Sequence, residues 1–496
     1  VTARFGQNNT TTMGPSWKLG EVRVRFNAPI LATVILAALV GVVYLAIGPL
    51  WAIAVLLGAT FIGLSLQSYS WLITFVLVVR TYLDAYTDEY FYVGAVRISA
   101  AAVFSLVMTS LIIWSFIASR SLVPTSDGIK ALALLILGSL IAVFTAYGRL
   151  GAEGNVALRE IVRLLMLLVW YIFLYDRARK SKNADPFLRA VIFASAIPLV
   201  MGFVDLITGT KFDAEGATRI SSTFVNPNSY GTYLVFLIMF AFARISDRND
   251  WVGKLVLCLA LPSLVLTYSR GAWIALMVAA PLYWVYVSKH RVKVSAAFVF
   301  VLLIAYPILA PRLSAVDYGD VITEAQTGMT SNSFSFRVMI WKELIKLWSQ
   351  NPVLGWGLAT TPTINPIRVV QDNRGFAAHN DAVRHLVETG LIGLLCYLNF
   401  LRVLGINLFR LSKRFVGTPL GSYALAAFAT YVAIVVESFT VGDPLLESSF
   451  MFHFLGLAAI LEGISHSAHS ASDDEAGETP AKIMDTQEAR VVIQSA

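Results

Sequence analysis

The sequence predicts an all-α polytopic membrane protein with about 12–14 transmembrane helices, and three observations predict it. Only 14% of the 496 residues are charged and 57% are hydrophobic, whereas soluble domains carry about a quarter charged residues. The mean hydropathy is +0.69. Apolar runs of near-spanning length recur from residue 29 to residue 465, with one long interruption. This pattern excludes a soluble enzyme, a disordered chain and a single-pass receptor. The alternating ten-residue segments of an outer-membrane barrel are absent.

A helix needs about 20 apolar residues to cross the hydrocarbon core. Runs near 29–47, 49–65, 68–82, 97–118, 130–147, 158–175, 187–207, 229–245, 253–268, 271–288, 294–310, 386–404, 421–438 and 447–464 approach that length. The count falls to about twelve where the short early runs pair as re-entrant pieces. Residues 1–28 are polar and carry Arg4, Lys18, Arg23 and Arg25. They are expected to be a cytoplasmic tail, because the apolar stretch behind them is too long for a removable signal segment. Cys258 and Cys396 both fall in apolar runs, where a small buried thiol is the ordinary reading.

The net charge of +7 is explained by orientation and calls for no nucleic acid. With the N-terminus in the cytoplasm, the inner loops receive Arg177, Arg179, Lys180 and Lys182; Arg244, Arg248 and Lys254; Lys289, Arg291 and Lys293; and Arg410, Lys413 and Arg414. Those basic clusters belong inside. The outer loop from Leu83 to Val93 holds Asp84, Asp88 and Glu89 without a Lys or Arg. Residues 465–496, with Asp473, Asp474 and Glu475, are expected to be a disordered cytoplasmic tail. The bundle divides into 29–310 and 381–464, separated by a large external loop at 311–380. That loop is too polar to cross the membrane and too long for a simple connection. Within it, Val338, Trp341, Ile345 and Trp348 recur on one helical face. Pro352 and Gly355 end that helix, and its tryptophans suit a helix lying on the outer leaflet.

Single arginines break the charge rule. Arg149, Arg159, Arg219, Arg270, Arg312, Arg337, Arg368 and Arg374 all fall outside, with few lysines among them. Arg163 shares a helix face with Arg159. Orientation makes no distinction between lysine and arginine. A phosphate site does, because guanidinium presents a flat fork of donors to two oxygens at once. Arg159, Arg163 and Arg270 sit near headgroup depth, where the diphosphate of a long-chain lipid carrier would lie. The alternative is that they snorkel or pair with Glu153, Glu160 and Glu215. Arg219 lies just before Asn226-Pro227-Asn228-Ser229, which caps a membrane helix and adds a positive helix end.

Among six histidines, His379 and His385 lie where the external loop returns to the membrane. A histidine beside an external anion site is a candidate general base. That role is given to His379; His385 is expected to be an ordinary surface residue. There is no phosphate-binding Gly-Lys-Ser/Thr loop, no zinc-spaced His/Cys cluster and no His-Glu-x-x-His. No metal and no cofactor are therefore expected.

Four pieces in order carry a resemblance. They are Arg219 with Phe224-Val225-Asn226-Pro227-Asn228; Thr267-Tyr268-Ser269-Arg270-Gly271; Arg337 ahead of Trp341; and Asn351-Pro352-Val353-Leu354-Gly355-Trp356-Gly357 followed by His379-Asn380 and Glu388-Thr389-Gly390-Leu391-Ile392-Gly393. Over about residues 200–400 the chain resembles the O-antigen ligase and Wzy polymerase superfamily of bacterial envelope glycan transferases. The resemblance implies a metal-independent, inverting, GT-C-like enzyme in the bacterial plasma membrane, its site facing outward. The implied donor is a glycan on undecaprenyl diphosphate, and the implied acceptor a glycan or lipid A core. Membrane lipids and envelope polysaccharide assembly proteins are implied partners. By the resemblance His379 activates the acceptor hydroxyl, while Arg219 and Arg337 bind the leaving diphosphate. Arg270 is a third contact or only shapes the start of its helix. Glu388 is expected to be structural. Ligase and polymerase share these motifs; the single external loop bearing both Arg337 and His379 favours ligase. A secondary transporter is the reading from another class. It calls for ionisable sites in two related halves, and no internal repeat is visible; Glu437 is its best candidate.

Overall fold

A computed structural model describes residues 68–83, 90–93, 96–118, 124–208, 212–214, 217–224, 226–287, 334–368, 375–439 and 449–467. The runs expected at 29–47, 49–65 and 294–310, both tails and the first part of the external loop lie outside the described residues. The remaining runs all become helices: α1 Tyr69–Leu83, α2 Ala100–Ala118, α3 Asp127–Leu150, α4 Asn155–Ser181, α5 Asp185–Thr208, α6 Pro227–Arg248, α7 Trp251–Leu266, α8 Arg270–Val287, α11 Asp381–Arg414, α12 Gly421–Ser438 and α13 Ser449–Ser467. The external loop contributes α9 Phe334–Gln350 and the single turn α10 Thr361–Ile364. Among the described residues, seven of these helices are long and apolar enough to cross a membrane, and three more are shorter and apolar. The chain is an all-α polytopic membrane protein. The only strands among the described residues are two small antiparallel hairpins in the connections, β1 Tyr90–Val93 with β2 Val96–Ser99, and β3 Phe212–Ala214 with β4 Ala217–Arg219.

The helix ends follow local chemistry. Ser126 caps α3 by accepting from the Ile129 N–H at 3.2 Å. Asp250 caps α7 through the Gly253 N–H at 2.9 Å. Asn226 caps α6 through the N–H groups of Asn228 and Ser229, and Pro227 at the first helical position has no N–H to strand. Helix α6 is buried on every side from Ser229 to Ala241, as an all-round apolar helix must be. It packs against α7, α8 and α12, and its Tyr233 and Phe236 rings meet His453 of α13.

Two polar clusters mark the ends of the bundle. At one end the Glu462 carboxylate accepts from Ser126, Gly128, Tyr171 and Asn407. It thereby gathers the start of α3 with the later parts of α4, α11 and α13, which charge patterning assigns to one common side. The opposite end carries the external loop. There α11 breaks at Gly390, whose φ of 65° and ψ of −165° are not helical. In a straight helix Tyr397 would stand about 18 Å from His385 and about 24 Å from Asp381. Instead the Tyr397 ring stacks on His385 with centroids 4.2 Å apart, and its hydroxyl donates to Asp381 at 3.1 Å. The segment 381–389 therefore folds back along the start of the membrane-crossing part. His385 is buried in that fold, which corrects the expectation of a surface residue: the break turns its face inward.

Candidate functional site

The first group forms where the second hairpin meets the helix ends. β4 ends at Arg219, which is buried. Its Nε donates to the Thr267 carbonyl at 2.8 Å, and its guanidinium donates to Asn228 Oδ1 at 2.9 Å. One arginine thus ties the turn before α8 to the first turn of α6. Gly231 of α6 lies so close to Ser269 and Ala272 that a Cβ would stand 2.8 Å from the Ala272 Cβ. The N-termini of α6 and α8 therefore converge beside Arg219, with Arg270 at the head of α8. Two helix N-termini and two guanidinium groups together favour an anion. The sequence expectation gave Asn228 to the anion, but its side-chain oxygen holds Arg219.

The second group forms on the external loop. Phe336, Ile340 and Leu344 of α9 are buried with Ala378 and Val387 in a small core. The sequence pattern put Val338, Trp341, Ile345 and Trp348 on one face; the stripe buried against the loop lies beside it, and Ile345 is exposed. The tryptophans of this segment are each hydrogen-bonded. The Trp341 indole N–H donates to the Ala378 carbonyl at 2.7 Å, that of Trp348 to Pro352 at 3.0 Å, and that of Trp356 to Leu347 at 2.8 Å. Trp341 and Trp348 thus reach from α9 to carbonyls beyond it, Trp356 reaches from the turn back to α9, and together they stitch the segment to the helix. Trp341 brings α9 against the residue before His379, and Arg337 lies one turn earlier on the same face. His379 itself precedes the Asn380 cap of α11 and has a left-handed backbone, φ 50°.

The Gly355-Trp356-Gly357 motif docks into the break of α11. The N–H groups of Trp356 and Gly357 donate to the carbonyls of Val387 and Glu388, and the Leu391 N–H donates to Pro352. These bonds satisfy the backbone groups that the break would otherwise strand. The buried Glu388 carboxylate accepts from Ala359 N–H, Thr361 N–H, the Thr361 hydroxyl and Arg384 Nε. Its role is structural: it pins the loop to α11. The Glu388→Gln variant removes the charge facing buried Arg384 and is expected to cost about 3–5 kcal/mol. The check is the thermal midpoint of the purified protein, which should fall sharply.

Arg163 pairs with Glu160, the alternative weighed for it, and Arg159 is exposed one turn earlier. Glu160 also lies within electrostatic reach of Arg384. The α4 arginine thus belongs to the Arg384–Glu388 network. Arg149 lies over the Trp356 ring at 5.5 Å. Sequence reasoning missed Arg384, Asp381 and Tyr397. The spacing of four between Arg384 and Glu388 was a usable signal; the Asp381–Tyr397 tie had none, because it depends on the break. Among the described residues no three His, Cys, Asp or Glu side chains group so as to hold a metal ion.

Comparison with known proteins bears on the same residues. No match is found among curated proteins. Residues 255–398 match the family model described as O-antigen ligase. That stretch contains the turn before α8, Arg337, the Gly-Trp-Gly motif, His379 and the α11 break, while Arg219 and Asn228 lie ahead of it. Over that stretch the chain is similar to the O-antigen ligase family, and together with its helical membrane architecture the match supports a ligase- or polymerase-type membrane glycan enzyme.

Proposed function

We propose that the protein transfers a glycan from undecaprenyl diphosphate to an acceptor hydroxyl at the outer face of the bacterial plasma membrane, as an O-antigen ligase with lipid A core as acceptor. Both ends of the chain then face the cytoplasm. The observation that carries the reading is the Trp341–Ala378 bond, which ties the helix of Arg337 to the segment of His379. In this reading the acceptor oxygen attacks the anomeric carbon while its proton passes to the His379 imidazole. The glycosyl–phosphate bond breaks on the opposite face, so the configuration inverts. The leaving diphosphate gains charge, and Arg337 and Arg219 hold it, with Arg270 at the adjoining helix N-terminus. Fixed guanidinium groups supply what a metal would otherwise supply, and the reaction is GT-C-like. The bond broken is already activated, so no nucleotide is consumed outside the cell.

The Trp341→Phe variant keeps the ring and loses the indole N–H. It is expected to cost only about 1 kcal/mol of stability while slowing transfer between about tenfold and a hundredfold. Thermal denaturation and initial rates on the same preparation check this; equal, small effects on both would separate α9 from the chemistry. The reading as a whole is tested by the envelope glycans of a strain lacking the protein. Long polymer stranded on the lipid carrier supports ligase. Stranded or transferred single repeat units indicate the polymerase of the same superfamily. An unchanged profile overturns both and favours a transporter.

A further inference from the structure

We infer that the C-terminal end of α9 and the turn after it form a docking surface whose occupant is the outer leaflet of the lipid bilayer. Ile345 at 44%, Val353 at 55% and Leu354 at 40% exposure stand out from an otherwise packed external segment. They surround Trp348, whose indole is fastened to the Pro352 carbonyl. The patch is continuous with a surface that already faces lipid. In α11 the exposed residues Leu391, Leu395 and Leu398 form one stripe at helical spacing along a membrane-crossing helix. The top of that stripe is joined to the patch by backbone bonds: the N–H of Leu391 donates to Pro352, and that of Ile392 to Val353. Val353 and Leu354 therefore extend the lipid-facing stripe outward by one turn, and Ile345 extends it onto α9.

Charge fits the same occupant. Lys342 is exposed on α9, about 60° round the helix from Ile345, where its stem lies along apolar surface and its ammonium can reach lipid phosphates. The far flank holds an ion pair instead: Glu343, two positions before Ile345 and about 160° round the helix, binds Lys346 at 2.5 Å. The depth also follows. Arg337 begins the helix whose other end is seated in the leaflet, so α9 lies near headgroup level. The inference rests on exposure and connectivity and holds whatever reaction the enzyme catalyses.

The test uses the full chain in liposomes, with Cys258→Ser and Cys396→Ala as background and one bimane label at Ile345→Cys, Val353→Cys or Glu343→Cys. Lipids with brominated acyl chains are expected to remove most of the fluorescence at 345 and 353 and little at 343, while aqueous iodide does the reverse. Strong iodide quenching and no bromolipid quenching at both 345 and 353 would overturn the inference. So would disulfide cross-linking of two copies through Val353→Cys without bromolipid quenching, since the occupant would then be a second chain. Bromolipid quenching at all three positions would overturn the orientation of α9.

Discussion

His379→Asn is expected to lower glycan transfer by about 10²–10⁴-fold with little change in thermal midpoint. Asparagine is the informative replacement because His379 has a left-handed backbone, φ 50°. Asparagine adopts that conformation more readily than other non-glycine residues, so the start of α11 and its Asn380 cap should persist. What is lost is the imidazole, the side chain whose ordinary titration places a proton acceptor near neutral pH. The measurement is transfer of labelled glycan from lipid carrier to acceptor in proteoliposomes, with the Arg337→Lys variant alongside. Lysine keeps a charge but not the planar fork, so it should fall between wild type and His379→Asn. Activity of His379→Asn within a few-fold of wild type would remove the histidine from the proton-transfer step.

Gly390→Ala is expected to give the largest loss of stability. The break in α11 requires φ 65° with ψ −165°, a region that side chains rarely enter and that costs about 1–3 kcal/mol. A Cβ there would also stand 2.2 Å from the Val353 carbonyl oxygen. Relief would have to move the turn whose backbone bonds join it to Leu391 and Ile392. Strain and collision together should cost several kcal/mol, enough to deplete folded protein. Gly417→Ala is the control: its φ is 81°, yet nothing lies within 4 Å of its Cβ position. It carries the backbone cost alone and should lose only about 1 kcal/mol. Size-exclusion profiles and thermal midpoints of the two variants separate the terms. Equal losses would mean that the close approach of Val353 to Gly390 is not what demands glycine.

The helices were legible because the bilayer imposes one rule on each of them. A span must be about 20 residues, apolar and internally hydrogen-bonded, so local composition is enough to place it. Asn226 and Pro227 announced the start of α6 for an equally local reason, since a cap bonds only to its own first turn. The side chains of the external segment were less legible. An amphipathic stripe has several near-equivalent neighbours on a short helix, and only contact with Ala378 and Val387 selected Phe336, Ile340 and Leu344 as its inward face.

The sequence by itself determined the fold class, the membrane helices among the described residues and the residue types that could bind an anion. It did so because those follow from hydropathy, charge and hydrogen-bonding capacity, which each residue carries with it. Tertiary structure alone decided which arginines keep that capacity and which spend it on a neighbour. Arg163 is drawn to Glu160, and Arg384 to Glu388. Arg219 is turned to hold Thr267 and Asn228, so that two helix N-termini meet. The same holds for the break at Gly390, which buries His385 beneath Tyr397, and for the Trp341–Ala378 bond, which brings α9 to the residue before His379. These outcomes rest on contacts between residues tens of positions apart, and such contacts exist only once the chain has packed.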